Sequence, residues 1–292
     1  MEQGSKKLQG KIVLVTGSSR GAGKGIALAL GEAGATVYVT GRSTKAQAAR
    51  TDVTGTIEDT ADEVTARGGA GIAVRCDHTV DGDVDALYER IYREQGKLDV
   101  VVNNAWGGYE DYEEVDFSAP FWEQPMKRWD KMFQAGLRAQ MVSSRCAMKR
   151  FFLEQKNGLI INTGVQSDLG GNYPVNVFYD TVKRAVVNMT KAISINIKAA
   201  GIGVTALTLA PGWMRTEGVM KHFGLQPEDP DFMKIEELHV TESVEYIGRA
   251  VVALAADPGV HQKAGQLVEV GNLALEYGFT DIDGRQLPPF RL

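Results

Sequence analysis

Hydrophobic residues in this chain fall into two alternating kinds of stretch. Short, nearly continuous apolar runs occupy residues 12–16, 36–40, 71–75, 100–103, 159–163, 204–209 and 267–270. Longer stretches at 23–34, 81–95, 126–153, 179–200 and 244–255 carry a helical pattern. A continuous apolar run bounded by polar residues predicts a strand buried on both faces. Strand and helix alternating from end to end predict an α/β fold with a doubly wound parallel sheet. No internal repeat, low-complexity segment or Pro-, Gly- or Ser-rich linker interrupts the alternation, so residues 1–292 are expected to form a single domain.

Two stretches break the rhythm, near 106–125 and 213–239. Both follow the C-terminal end of a predicted strand, the edge at which open parallel sheets bind ligands. They are expected to be substrate loops rather than solvated insertions. Their aromatics, with one from a later segment, offer a lining for an apolar pocket: Trp106, Tyr109, Tyr112, Phe117, Trp122, Tyr173 and Trp213. Packing beneath the loops is the competing use of the same side chains.

Composition narrows the partners. Of 292 residues 43% are hydrophobic, enough for a sizeable core, and the net charge is −5. That balance argues against nucleic-acid or anionic-membrane binding, which needs a basic face, while leaving room for a local basic pocket. No window approaches the length of a membrane span. The apolar run after Lys6 and Lys7 is too short for a signal core. Cys76 and Cys146 match no zinc or redox spacing, and the four histidines do not cluster. The expectations are a reduced, cytoplasmic setting, no metal, and a small-molecule substrate.

Thr16-Gly17-Ser18-Ser19-Arg20-Gly21-Ala22-Gly23 lies where the first strand should meet the first helix. Small residues there permit a tight turn and let a pyrophosphate approach the backbone. The helix N-terminus presents unpaired N–H groups to that anion. The spacing is Gly-x3-Gly-x-Gly, not the common Gly-x-Gly-x2-Gly, and its place after the first strand of an alternating chain is what points to a dinucleotide. The second strand ends Val39-Thr40-Gly41-Arg42 with no carboxylate to hold an adenosine ribose. Arg42, with Arg20 in the turn, suits a 2′-phosphate instead, which points to NADPH/NADP+ over NADH.

Tyr179 and Lys183 are four apart in a predicted helix and so share a face. A phenol is a sluggish base near neutrality, and a nearby ammonium lowers its pKa. Tyr179 is then fit to give a proton to an alkoxide or take one from an alcohol.

Together, Thr16–Gly23, Asn103-Asn104-Ala105, Tyr179-x3-Lys183 and Pro211-Gly212 with Thr216 resemble the short-chain dehydrogenase/reductase family, in its order and at its approximate spacings. Within it, the Asn-Asn-Ala-aromatic stretch, Ala119-Pro120-Phe121-Trp122-Glu123 and Asp281-Ile282-Asp283-Gly284-Arg285 are similar to the branch of dehydrogenase/reductase member 1. The resemblance implies a Rossmann-type sheet of about seven parallel strands with helices on both faces. It implies a nicotinamide cofactor held by Gly17, Ser19, Arg20, Gly21, Gly23 and Arg42. Asp77 would lie near the adenine, and Asn103 and Ala105 along the adenosine. Pro211, Gly212 and Thr216 would border the nicotinamide, and Lys183 would bond its ribose. It further implies a homodimer or homotetramer built on the helices at 126–153 and 179–200.

Two positions depart from the family's pattern. Its serine after the fifth strand falls on Val165 when counted from the strand, and on Ser167 when counted back from Tyr179. Gln166 is a rival donor, since an amide N–H can hold an oxyanion. The family's helix asparagine, part of a proton relay, falls on Gly136. The sequence therefore predicts an NADPH-dependent reductase of a carbonyl on a bulky apolar or aromatic molecule. Tyr179 and Lys183 would be catalytic, with Ser167 or Gln166 beside them. The rivals are reduction of an imine or enone, a less usual biosynthetic reaction, and NADPH binding without turnover.

Overall fold

The computed structural model describes residues 6–47, 49, 53–109, 115–166, 176–226 and 229–291. Every predicted strand is present: β1 (Ile12–Thr16), β2 (Thr36–Gly41), β3 (Ala70–Arg75), β4 (Val100–Asn103), β5 (Asn157–Thr163), β6 (Gly203–Ala210) and β7 (Leu267–Glu269). The sheet order is β3-β2-β1-β4-β5-β6-β7. Pairing is parallel, with Ile12 opposite Thr36 and Leu159 opposite Thr205. All of β1 and β4 is buried, whereas the outer strands β3 and β7 are only partly covered.

The helices are α1 (Gly21–Glu32), α2 (Ile57–Ala66), α3 (Asp81–Gln95), α4 (Met126–Lys131), α5 (Ala139–Ala147), α6 (Leu153–Gln155), α7 (Val177–Ala199), α8 (Glu217–His222), α9 (Val244–Ala256) and α10 (Val270–Tyr277). Three of them, α2, α8 and α10, were not anticipated. The signal for α2 was present but faint. Thr56 accepts from Asp59 N at 3.1 Å and donates to the Asp59 carboxylate at 2.6 Å, a local cap, and only Ile57, Thr60, Ala61 and Val64 are buried. The long helix expected at 126–153 keeps its extent but not its winding. π-helical turns at Met132–Arg138 and Met148–Phe152 separate α4, α5 and α6.

The chain divides into two compact units. One comprises the N-terminal part through Arg75, Pro211–Val260 and Glu269–Phe290. Its helices α1 and α9 meet backbone to backbone. A Cβ on Gly25 would lie 1.8 Å from Val244 O, and one on Gly248 would lie 2.6 Å from Gly25 O. The stretch near 213–239 belongs to this unit and is more ordered than a loop. It holds α8 and two 3-10 turns, Pro230–Lys234 and Glu236–Val240, closed over Met220, Phe232 and Leu238.

The other unit comprises Cys76–Ala210, His261–Val268 and the chain end at Arg291. A buried polar chain ties its sheet to its helices. Asn103 Nδ2 donates to Ser144 Oγ at 3.0 Å and to Asn162 Oδ1 at 2.8 Å, and Asn162 Nδ2 donates to Thr190 Oγ1 at 2.9 Å.

Candidate active site

In the first unit the glycine turn leaves β1 with Gly17 at φ +66° and re-enters α1 with Gly21 at φ +53°. Both values favour glycine. Buried Ser18 fixes the turn to β2, donating to Val15 O at 3.0 Å and accepting from Thr40 N at 2.9 Å. Ser19 is half-buried, and Gly21 and Gly23 are buried in the first turn of α1. Arg42 is exposed just past β2. Arg20 grips the neighbouring residue: its Nη2 donates to Ser43 Oγ at 2.7 Å and Gly55 O at 3.0 Å. That side chain therefore also pins the segment after β2 onto the glycine turn, a task its sequence position did not announce.

Glu217 is a residue at the glycine turn that sequence reasoning missed. Gly21 N donates to both of its carboxylate oxygens, at 3.1 and 3.0 Å. Thr216 comes with it, capping α8 by accepting from Val219 N at 3.3 Å, and its methyl lies 3.7 Å from where a Gly21 Cβ would be. The structure thus brings the expected Thr216 against the expected glycine turn. The Glu217 carboxylate shows that Gly21 N–H takes an anion, and it competes for the donor a phosphate would use. Removing its charge in Glu217→Gln should tighten NADPH binding roughly 2- to 10-fold by the scale of helix-terminus charge effects. Weaker or unchanged binding in a fluorescence titration would refute that competition.

Pro211 and Gly212 follow β6, against a second unforeseen acid. A Cβ on Gly212 would sit 2.9 Å from Glu242 Oε2. Burial raises the Glu242 carboxyl to about 8, so it stays largely protonated at neutrality, and its Oε1 has no hydrogen-bond partner among the described residues.

In the second unit, Tyr179 and Lys183 lie on α7, whose start is set by Asn176. Its Oδ1 accepts from Phe178 N and Tyr179 N, both at 3.0 Å, and its Nδ2 donates to Phe117 O at 2.8 Å. Asn176 is thus a helix cap that ties the 106–125 stretch to α7. Around the Tyr179 ring the aromatics close a circuit. Trp106 and Tyr109 stand 5.8 Å apart, Tyr109 and Phe117 6.1 Å, Phe117 and Tyr179 5.7 Å, and Trp106 and Tyr179 5.5 Å. Three of the expected aromatics, Trp106, Tyr109 and Phe117, therefore meet around Tyr179, and Trp106 and Phe117 also pack on the buried Met132, Phe178 and Val182. Trp122 is 73% exposed beside Phe121, and Trp213 packs with Phe223 in the first unit. Tyr112 and Tyr173 lie outside the described residues.

Lys183 is buried, and its Nζ stands 4.1 Å from the Trp106 ring and 5.7 Å from that of Tyr179. Burial lowers its ammonium to about 8. Ser167 lies outside the described residues. Gln166 is buried, and its Oε1 accepts from Arg291 Nη1 at 3.3 Å, which leaves the amide N–H₂ as the donor end. Val165, at the serine position counted from the strand, offers no polar atom.

Asn103 Nδ2 is spent inside the unit and its backbone oxygen accepts from Thr163 Oγ1 at 3.2 Å, while its buried Oδ1 has no hydrogen-bond partner among the described residues; Ala105 is buried as well. Asp77 Oδ1 accepts from Thr79 N at 3.0 Å and Thr79 Oγ1 at 2.7 Å, holding the turn after β3. Among the described residues no group of His, Cys, Asp or Glu is placed to hold a metal, and no helix is long and apolar enough to cross a membrane.

Comparison with known proteins shows the family. The model of the short chain dehydrogenase family matches residues 11–224. Dehydrogenase/reductase SDR family member 1 of Mus musculus is 36% identical over 287 residues, covering 97% of this chain and 87% of that one. Its Homo sapiens counterpart is 33% identical over the same shares. The crystal structure of a short chain dehydrogenase of Mycobacterium thermoresistibile superposes with a TM-score of 0.78 at 22% identity, over 97% of this chain and 95% of that one. Members of the branch suggested by three short segments thus match over nearly the whole length. The chain belongs to the short chain dehydrogenase/reductase family, oxidoreductases that use a nicotinamide cofactor.

Proposed function

We propose that this protein reduces a carbonyl on a bulky apolar or aromatic molecule with NADPH, Tyr179 delivering the proton. The observation that carries the reading is the aromatic circuit that holds the Tyr179 ring beside a buried ammonium. A bound NADPH supplies the hydride. The residues present fit it in two ways. Gly21 N–H already donates to a carboxylate, a stand-in anion. The Lys183 side chain is buried with its Nζ beside the Trp106 and Tyr179 rings, and its ammonium suits an oxygen such as a ribose hydroxyl.

The remaining work falls to the chain. Lys183 favours the Tyr179 phenolate by its charge, so the phenol gives up its proton as negative charge grows on the substrate oxygen. Gln166 or Ser167 supplies a second hydrogen bond to that oxygen. Trp106, Tyr109 and Phe117 exclude water and favour an apolar substrate. Gly17, Ser19, Gly21 and Gly23 form the phosphate turn of the first unit, while Arg20 and Arg42 are the cations for a 2′-phosphate. The same helices, at 126–153 and 179–200, are the proposed contacts of a homodimer or homotetramer.

Cofactor choice is tested by titrating the unmodified protein with both nucleotides. NADPH should bind far more tightly than NADH. Arg42→Ala should weaken NADPH roughly 10- to 100-fold, the size of one charge-assisted hydrogen bond, and leave NADH unchanged. Equal affinities in the unmodified protein would remove the 2′-phosphate assignment.

A further inference from the structure

Gly136 is buried inside the π-helical turn Met132–Arg138. A Cβ on it would lie 2.4 Å from Trp106 Cζ3 and 2.7 Å from Cε3, with Val182 Cγ1 next at 3.2 Å. The indole therefore fills the volume that a side chain at 136 would need. The following glycines let the strand end settle on this turn. A Cβ at Gly107 would meet Ala135 Cβ at 3.1 Å, and Gly108, at φ +96°, would meet Met132 Cγ at 2.5 Å. A π turn admits one extra residue and bulges the helix, a feature concentrated at functional sites.

The same indole presents a face to Lys183, whose Nζ stands 4.1 Å from the ring centroid. Burial has stripped that ammonium of most of its water. The negative face of an aromatic ring is a compensating partner, and it is worth more when the cation is desolvated. An edge of the indole is turned to Tyr179, the ring planes crossing at 75°. One side chain thus touches position 136, the ammonium and the phenol ring together.

We infer that Trp106 is the positioning residue for Lys183, its ring face doing from the end of β4 what a polar side chain at position 136 would do from the helix. The inference rests on the reading that Tyr179 and Lys183 handle the proton. It also accounts for the glycine in the helix: the aromatic after Asn103-Asn104-Ala105 occupies the volume a side chain at 136 would need. Trp106 keeps Lys183 charged and on the Tyr179 side without a hydrogen bond, so the Nζ donors remain for a ribose oxygen.

The test reads Lys183 directly, without turnover. Lysine Cε-labelled, cofactor-free protein is titrated by NMR, with Lys183→Arg identifying the signal. Trp106→Leu should move the Lys183 midpoint down by roughly half to one pH unit, the size of a cation–π contact, and Trp106→Phe by less. Gly136→Asn alone should be poorly tolerated because of its clash with the indole. Combined with Trp106→Leu it should fold, return the midpoint upward and recover part of the lost turnover. An unchanged or raised midpoint in Trp106→Leu, or a double variant no better than Trp106→Leu, overturns the inference. If Trp106→Leu does not fold, Trp106→Phe decides by the same midpoint. The parent reading fails separately, if Tyr179→Phe keeps full turnover while Trp106→Leu shifts the lysine as expected.

Discussion

Replacing Tyr179 by Phe should lower carbonyl reduction roughly 10²- to 10⁴-fold, the usual contribution of a positioned general acid, while NADPH binds as before. The substitution keeps the ring against Trp106 and Phe117 and removes only the hydroxyl, so a rate loss of this size reports the proton and not the packing. The pH profile supplies a second signature. Burial brings Lys183 to about 8, so above that pH the ammonium discharges and no longer favours the phenolate. In the unmodified enzyme kcat/KM for reduction should therefore fall on a basic limb near 8, as befits a group of the free enzyme. Stability has the opposite slope. The folded pKa lies below the lysine's ordinary value, so the unfolded chain holds more protons between the two. The burial penalty is full below about 8 and relaxes as pH climbs through that value. Turnover undiminished by Tyr179→Phe would place the proton donor elsewhere.

Arg215→Met should destabilise the protein by about 3–5 kcal/mol in chemical denaturation, the cost of leaving one partner of a buried ion pair alone. Arg215 is buried, with Nη1 donating to Thr241 O at 2.6 Å and Nη2 to Asp281 Oδ2 at 3.4 Å and Asp283 Oδ2 at 3.3 Å. Its guanidinium also stacks 4.0 Å from the Phe232 ring. Asp281 is buried too, accepting from Ser243 N and Ile282 N, both at 2.7 Å, and from the Ser243 hydroxyl. One arginine thereby fastens the 213–239 stretch to the C-terminal Asp281–Arg285 segment. The direct ion-pair contacts are long, so the cost of the single variant comes mainly from the carboxylate it strands. Arg215→Met with Asp281→Asn should then lose less than the two single losses added together. A single variant within about 1 kcal/mol of the parent would contradict the strand-and-strap picture.

What the sequence made legible follows from how local each signal is. The strands showed because runs such as Ile12–Thr16 are apolar at every position but the last, and two-sided burial demands that. Tyr179 and Lys183 showed because one helix carries both. Asn176, an asparagine just before an apolar helix, carries a local cap signal of the same kind. The misses are contacts between distant segments. Nothing near Gly21 announces the carboxylate of Glu217, 196 residues away. Arg20 looked like a phosphate ligand alone, and its grip on Ser43 and Gly55 needed the fold. Gly136 read as a lost asparagine, and only the π turn showed Trp106 in its place.

The central claim, hydride delivered from NADPH to a carbonyl carbon with Tyr179 beside it, is tested most directly by isotope transfer. The protein is incubated with NADPH deuterated on the reactive face at C4 and a panel of bulky aromatic ketones, and the products are weighed by mass spectrometry. The account predicts an alcohol carrying deuterium at the former carbonyl carbon, formed by the unmodified protein and not by Tyr179→Phe. A protein that binds NADPH tightly yet transfers deuterium to no ketone, or transfers it equally well without the Tyr179 hydroxyl, would contradict it.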